Sequence, residues 1–219
     1  MNNTLILQNF DSSFLNTIKH PLDYLHKGVL KHPFYEHLIN GNLKKLHFVA
    51  FLEQQSYMWD YFSKELRFLS TLNYPRDINQ ILLKTANFSL QEASNFNLQL
   101  DNFKPKMHEL PLACEEYTHF LKKLVERRLT LPILTAFFPR IWLATQLQKR
   151  CIKLKAHNHP YNPFIQQGIF PNVEGHTVKI IQLLDAFIQT TSEIEKTEVQ
   201  KIFLDSALHE CELLNRSLV

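Results

Sequence analysis

The chain has 219 residues, 45% of them hydrophobic and 12% aromatic, enough apolar material for one substantial core and too much for a disordered chain. Twenty-four Lys and Arg against 21 Asp and Glu give a formal charge of +3, spread evenly, which argues against nucleic acid or a membrane surface as partner. Only four glycines occur, and no G-x-G-x-x-G, G-x-x-x-x-G-K or G-x-S-x-G, which disfavours dinucleotide folds, P-loops and nucleophile elbows and points to helices.

In chain order, the segment from Phe10 to Asn40 is expected to be helical, broken near His20-Pro21 and His32-Pro33 and closed by the turn Asn40-Gly41-Asn42. From Lys44 to Leu69 the apolar residues Val49, Leu52, Trp59, Phe62, Leu66 and Leu69 recur at steps suited to a core-facing helix, stopped by Tyr74-Pro75. Helical patterns follow over Asp77–Leu100, Pro111–Arg128, Leu131–Leu154, Glu174–Gln189 and Ser192–Leu218. Ser192 with Glu195 forms a capping box that fixes the start of the last helix. Asn158–Val173, with three prolines, reads as a loop carrying one short helical turn. The sum is an all-α bundle of about seven to eight helices, a single domain over residues 1–219. Phe and Tyr near the N-terminus are expected to be exposed and to offer an association surface.

Cys114, Cys151 and Cys211 are widely spaced and odd in number, which suits reduced thiols and a cytoplasmic protein. No window approaches the ~20 apolar residues of a membrane span, and the N-terminus lacks a basic, apolar leader pattern.

Function-bearing residues show up as polar groups where a stripe demands apolar ones. Gln55 sits on the stripe of Leu52 and Trp59, and Arg140 sits among Ile133, Ala136, Phe137, Leu143 and Ala144 beside the helix-bending Pro139. Glu210 interrupts the face of Phe203, Ala207 and Leu214, and Tyr117 lies on that of Ala113, Phe120 and Leu124. Two readings are open: Arg140 and Glu210 form a structural ion pair with Gln55 as a bundle-crossing hydrogen bond, or the four groups line one polar pocket. The His-rich spots His108-Glu109, His157-Asn158-His159 and His209-Glu210 do not have Glu-x-x-His spacing on an apolar stripe, so no metal site and no cofactor are assigned.

Several of these residues fall in motifs. His32-Pro33-Phe34, Gly41-Asn42-Leu43, Phe51-Leu52-Glu53-Gln54-Gln55-Ser56-Tyr57 with Phe62, Glu116-Tyr117-Thr118, Phe138-Pro139-Arg140-Ile141-Trp142 and Leu208-His209-Glu210 appear in that order. Together they resemble the signature of the TenA (thiaminase II) proteins, whose haem-oxygenase-like helical fold is shared with PqqC-type proteins. The resemblance implies a pocket for an aminopyrimidine, hydrolysis at the pyrimidine methylene through a Cys nucleophile, a place in thiamin salvage, and a homo-oligomer. It implies Glu210 and Tyr117 as catalytic residues and Gln55, Arg140, Tyr57, Phe51 and Trp142 as substrate-binding residues. Two positions depart from the family: Arg140 stands where the nucleophilic Cys is found, and Gln55 where the pyrimidine-gripping Asp is found. Arginine stays protonated and cannot act through a thiolate, so Arg140 is left to grip an anion or pair with Glu210.

The expectation is a divergent TenA-like protein acting on a small heteroaromatic or anionic ligand by a non-thiol route. One alternative is a binding or interaction protein without chemistry. The other is a PqqC-like or haem-oxygenase-like oxygenase, for which His26, His32 and His37 are N-terminal histidine candidates that nothing in the sequence distinguishes.

Overall fold

A computed structural model describes residues 11–103, 111–152, 160–166 and 170–218, and every regular element among them is helical. The helices are α1 (Ser13–Thr17), α2 (Lys19–Tyr24), a π-helical turn (Leu25–Val29), α3 (Pro33–Ile39), α4 (Lys45–Leu69) and α5 (Arg76–Asp101). After them come α6 (Leu112–Glu126), α7 (Thr130–Ile152), α8 (Asn162–Gln166), α9 (Val173–Ile188) and α10 (Glu193–Arg216). Among the described residues there are ten α-helices against the expected seven to eight, because the N-terminal segment divides more finely. The long elements begin and end within about two residues of where the periodicity places them, apart from the expected end of α7 at Leu154, which lies outside the described residues. The loop before α9 carries its short helix, α8, as expected.

Pro21 does not break the chain. It lies in the first turn of α2, where a missing N–H removes no helical bond, and the break falls at Ile18. His32-Pro33 does mark a start: His32 Nδ1 accepts from the Phe34 N–H at 3.2 Å, Pro33 opens α3, and His32 Nε2 then donates to Asn215 Oδ1 at 3.0 Å. That side chain thus caps α3 and ties it to the end of α10. Helix α3 ends on Gly41 at φ 74°, with Asn42 N–H reaching His37 O at 2.8 Å and Gly41 N–H reaching Leu38 O at 3.3 Å, a Schellman closure that glycine adopts without strain. The capping box of α10 is present, Glu195 Oε2 accepting from the Ser192 N–H at 2.9 Å.

Helices α4 and α5 pair as a hairpin across the turn at 70–75, and α7 lies between α9 and α10. Helix α1 is anchored to α9 by Asp185 Oδ1, which accepts from Ser12 Oγ and the Phe14 N–H, each at 2.8 Å. The core is rich in phenylalanine: Phe14, Phe34, Phe48, Phe51, Phe62, Phe137, Phe138 and Phe203 are all within 1% of complete burial. Phe14, Phe34 and Tyr35 therefore do not supply the exposed N-terminal aromatic surface expected from the sequence; among the described Phe and Tyr residues before α4, Tyr24 is the exposed one. Phe10, His108-Glu109 and His157-Asn158-His159 lie outside the described residues.

Candidate functional site

The interior polar site is built from one residue of each of four long helices. Gln55 on α4, Tyr117 on α6, Arg140 on α7 and Glu210 on α10 are all at least 94% buried. The register that makes each helix amphipathic turns its one polar interior residue toward the same point.

Arg140 is the hub. Its Nη1 donates to Gln55 Oε1 at 2.7 Å and its Nη2 to Glu210 Oε2 at 3.1 Å. Nε lies 3.1 Å from Glu210 Oε1, but the N–H is out of line, so neither atom has an aligned hydrogen-bond partner. The pair is a one-bond contact rather than a full bidentate fork, and its desolvation is incompletely offset. The guanidinium carbon also rides over the rings of Phe62 and Trp59, at 5.4 and 5.6 Å from their centroids, which favours a cation there. The Arg140 bond fixes Gln55 with its oxygen inward, and its Nε2 amide makes no hydrogen bond to any described residue.

Tyr117 approaches from α6. Its hydroxyl bonds Ser206 Oγ at 2.6 Å, and Ser206 passes a bond to the Ala136 carbonyl at 2.5 Å. That carbonyl lies three residues before Pro139, so α6 and α10 both grip α7 beside its interior proline. His209 stacks flat on the Tyr117 ring, centroids 5.0 Å apart and planes within 8°.

Electrostatics follow from burial. It pushes the Glu210 carboxyl above the usual range, while Arg140 and then the Tyr117 hydroxyl hold it back. Burial, and next the Glu210 charge, push the Tyr117 and Tyr35 phenols well above their ordinary values, so both stay protonated donors. Cys114, one turn before Tyr117, is the thiol whose charge state feels both Arg140 and Glu210, and burial pushes it up to about 12. Cys151 is pushed up to about 11, and Cys211, beside Glu210 in sequence, is also raised, in both cases by burial first. None has the lowered pKa of a nucleophilic cysteine.

The structure thus brings together Gln55, Arg140, Glu210 and Tyr117. Phe51, one turn before Gln55, packs on Phe34 and Phe96, at 4.7 and 6.1 Å between centroids. Tyr57 and Trp142 are not brought to this point. Tyr57, two residues past Gln55, is turned by about 200° along the helix and is 36% exposed on the outer side of α4. Trp142 bears the same relation to Arg140 and meets His26 edge-on at 5.7 Å. Sequence reasoning missed Trp59 and Phe62 as the shelf under Arg140, although steps of four and seven from Gln55 find both. It also missed Ser206, one turn before Glu210, and Tyr35. Among the described residues, no group of three His, Cys, Asp or Glu side chains is placed to hold a metal ion.

Comparison with known proteins gives a consistent answer. The model of the family described as TENA/THI-4/PQQC matches residues 20–219. A TenA homologue from Pyrococcus furiosus is 17% identical with a TM-score of 0.81, over 92% of this chain and 98% of that one. A TenA family transcription regulator from Silicibacter sp. is 15% identical with a TM-score of 0.83, over 95% and 97% of the two chains. A TenA-like thiaminase from Sulfolobus solfataricus, described as putative, is 15% identical with a TM-score of 0.66, over 95% and 97%. A domain of unknown function from Shewanella denitrificans, with a heme oxygenase-like fold, is 10% identical with a TM-score of 0.65, over 99% and 92%. No curated protein matches the sequence.

Proposed function

The chain belongs to the TENA/THI-4/PQQC family, and from that premise we propose that its interior site binds a small planar heteroaromatic molecule of the thiamin-related aminopyrimidine class and hydrolyses it without a thiolate. The observation that carries this reading is the convergence of Gln55, Arg140, Glu210 and Tyr117 beside the Trp59 and Phe62 rings. The planar Arg140 guanidinium, itself seated on those rings, offers a face to a flat ring, and the Gln55 amide donates to a ring nitrogen. Glu210 is the acid–base group: it takes a proton from water as the water oxygen bonds to the ligand's methylene carbon. The C–N bond breaks, and the same carboxyl delivers the proton to the departing amine. Tyr117, anchored through Ser206 and stacked by His209, orients that carboxyl.

The second reading, ligand binding without chemistry, is favoured by the Arg140–Glu210 contact, which holds the carboxylate against a fixed cation as a structural pair and away from acid–base work. One experiment separates the two. The purified protein is given an aminomethyl-aminopyrimidine and, separately, thiamin; product is followed by chromatography and binding by thermal shift. The expected result is turnover that Glu210→Gln lowers by about a hundredfold or more while the thermal shift survives. Undiminished turnover in that variant refutes the role of Glu210. Stabilisation by small carboxylates alone, lost in Arg140→Cys, leaves the second reading standing and the thiamin reading overturned.

Three further points belong to the same proposal. No helix of the described residues is long and apolar enough to cross a membrane. We place the protein in the cytoplasm, where thiols such as the free Cys211 persist. We also take it to be a homo-oligomer associating through the exposed α5 stripe of Leu83, Leu90 and Leu98; light scattering on the purified chain tests the oligomer, and a lower mass for Leu90→Lys tests the stripe.

A further inference from the structure

The cleft at the far end of the bundle is a second candidate site. It has a volume of about 330 Å³ and lies where the α6–α7 turn meets the end of α9 and the start of α10. Ten residues of α6 separate Arg127 from Tyr117 and ten of α7 separate Thr130 from Arg140, so the cleft lies about 15 Å along the bundle from the interior site.

Its walls combine apolar side chains, among them Leu131, Phe187 and Ile202, with charged groups at the rim. Two carboxylates and two arginines line it, but three of the four are engaged. Arg127 pairs with Glu198 at 2.5 Å, and Glu195 is taken up by the Ser192 N–H and hydroxyl at 2.9 and 2.7 Å. Arg128 has no carboxylate partner among the described residues. It stands at φ 53°, just past the end of α6, a backbone setting that favours glycine. Tyr74 and Thr130, the latter 96% buried, bond to each other through their hydroxyls. Two hydroxyl protons serve that one bond, so one O–H remains to donate.

We propose that this cleft binds a small organic monoanion with an apolar body, a short-chain carboxylate being the simplest form, its head on Arg128 and the spare hydroxyl and its chain against Leu131, Phe187 and Ile202. The volume falls at the lower end of small-molecule sites, so the ligand is of a few carbons.

The test is calorimetric titration of the purified protein with hexanoate, and with inorganic phosphate and hexanol as the two halves of that ligand. Hexanoate binds the wild type at least about tenfold more tightly than either half, and Arg128→Gln weakens it at least about tenfold. Arg128→Gly also loses hexanoate, yet melts at a higher temperature than the wild type because the left-handed strain is relieved. Arg140→Cys keeps hexanoate binding, which separates this cleft from the interior site. The proposal is overturned if hexanoate up to about 10 mM gives no heat, if hexanol or phosphate binds as well as hexanoate, if Arg128→Gln binds like the wild type, or if Arg140→Cys abolishes binding.

Discussion

Replacing Arg140 by methionine asks whether the interior ion pair stabilises the fold or merely tolerates burial. The substitution removes the 2.7 Å bond to Gln55, the 3.1 Å bond to Glu210 and the guanidinium over Phe62 and Trp59, and leaves a carboxyl that is 95% buried without its cation. Breaking a buried pair from one side costs about 3–5 kcal/mol. The carboxyl has an escape, since it can take up a proton, and burial already pushes its pKa above the usual range even with Arg140 present. A group whose folded pKa is raised contributes stability that is complete below its unfolded value and lost as pH rises through the folded value. The deficit of Arg140→Met is therefore largest at alkaline pH and shrinks as the solution is acidified. In Arg140→Met/Glu210→Leu no charge is left behind, and the double variant recovers at least about 2 kcal/mol of the single variant's loss. Urea unfolding of the wild type, both single variants and the double variant at about pH 6 and pH 8.5, followed by far-ultraviolet circular dichroism, measures all of this. A single variant within about 0.5 kcal/mol of wild type, or a double variant no more stable than the single, would refute the reasoning.

Glu92 on α5 is a second buried carboxyl, with Asn95 as its sole hydrogen-bond partner among the described residues, at 3.4 Å, and burial pushes it up to about 7. Its contribution is therefore lost as pH rises through about 7, and Glu92→Gln should unfold about 1–3 kcal/mol less readily than wild type at pH 8.5 while differing little at pH 5. A variant no more stable than wild type at the higher pH contradicts this. For the cysteines, raising Cys114 from 9.0 to about 12 lowers its thiolate fraction near pH 8 by about a thousandfold. Iodoacetamide applied to native protein should modify half-buried Cys211 first and spare Cys114 until denaturant is added, and mass spectrometry of the digested chain reads which sulfur reacted; early labelling of Cys114 shows the thiol to be reactive after all.

The helices were legible because apolar periodicity is a strong signal over twenty-residue elements, as α4 and α10 show. So was the polar centre, since an arginine, a glutamate and a glutamine on apolar faces are conspicuous whatever surrounds them. The misplacements have a common physical origin. Tyr57 and Trp142 neighbour Gln55 and Arg140 in their motifs, and a helix turns adjacent motif letters onto different faces. The Phe14, Phe34 and Tyr35 rings were expected outside, yet short helices bury them, and a stripe of five to seven residues is too short to reveal its inward face. The cleft beside Arg128 depends on where four helix ends meet, which no local pattern encodes.

Arg140 finds Gln55 across 85 residues and Glu210 across 70. During synthesis, α4 to α7 leave the ribosome well before α10, so the nascent chain carries this cation for a time with an amide but no counter-charge. Early collapse of α4 against α7 would bury it uncompensated, which favours keeping that interface loose until the last helix arrives. The carboxylate of α10 thereby acts as a late latch: closing the bundle and neutralising its interior are the same event.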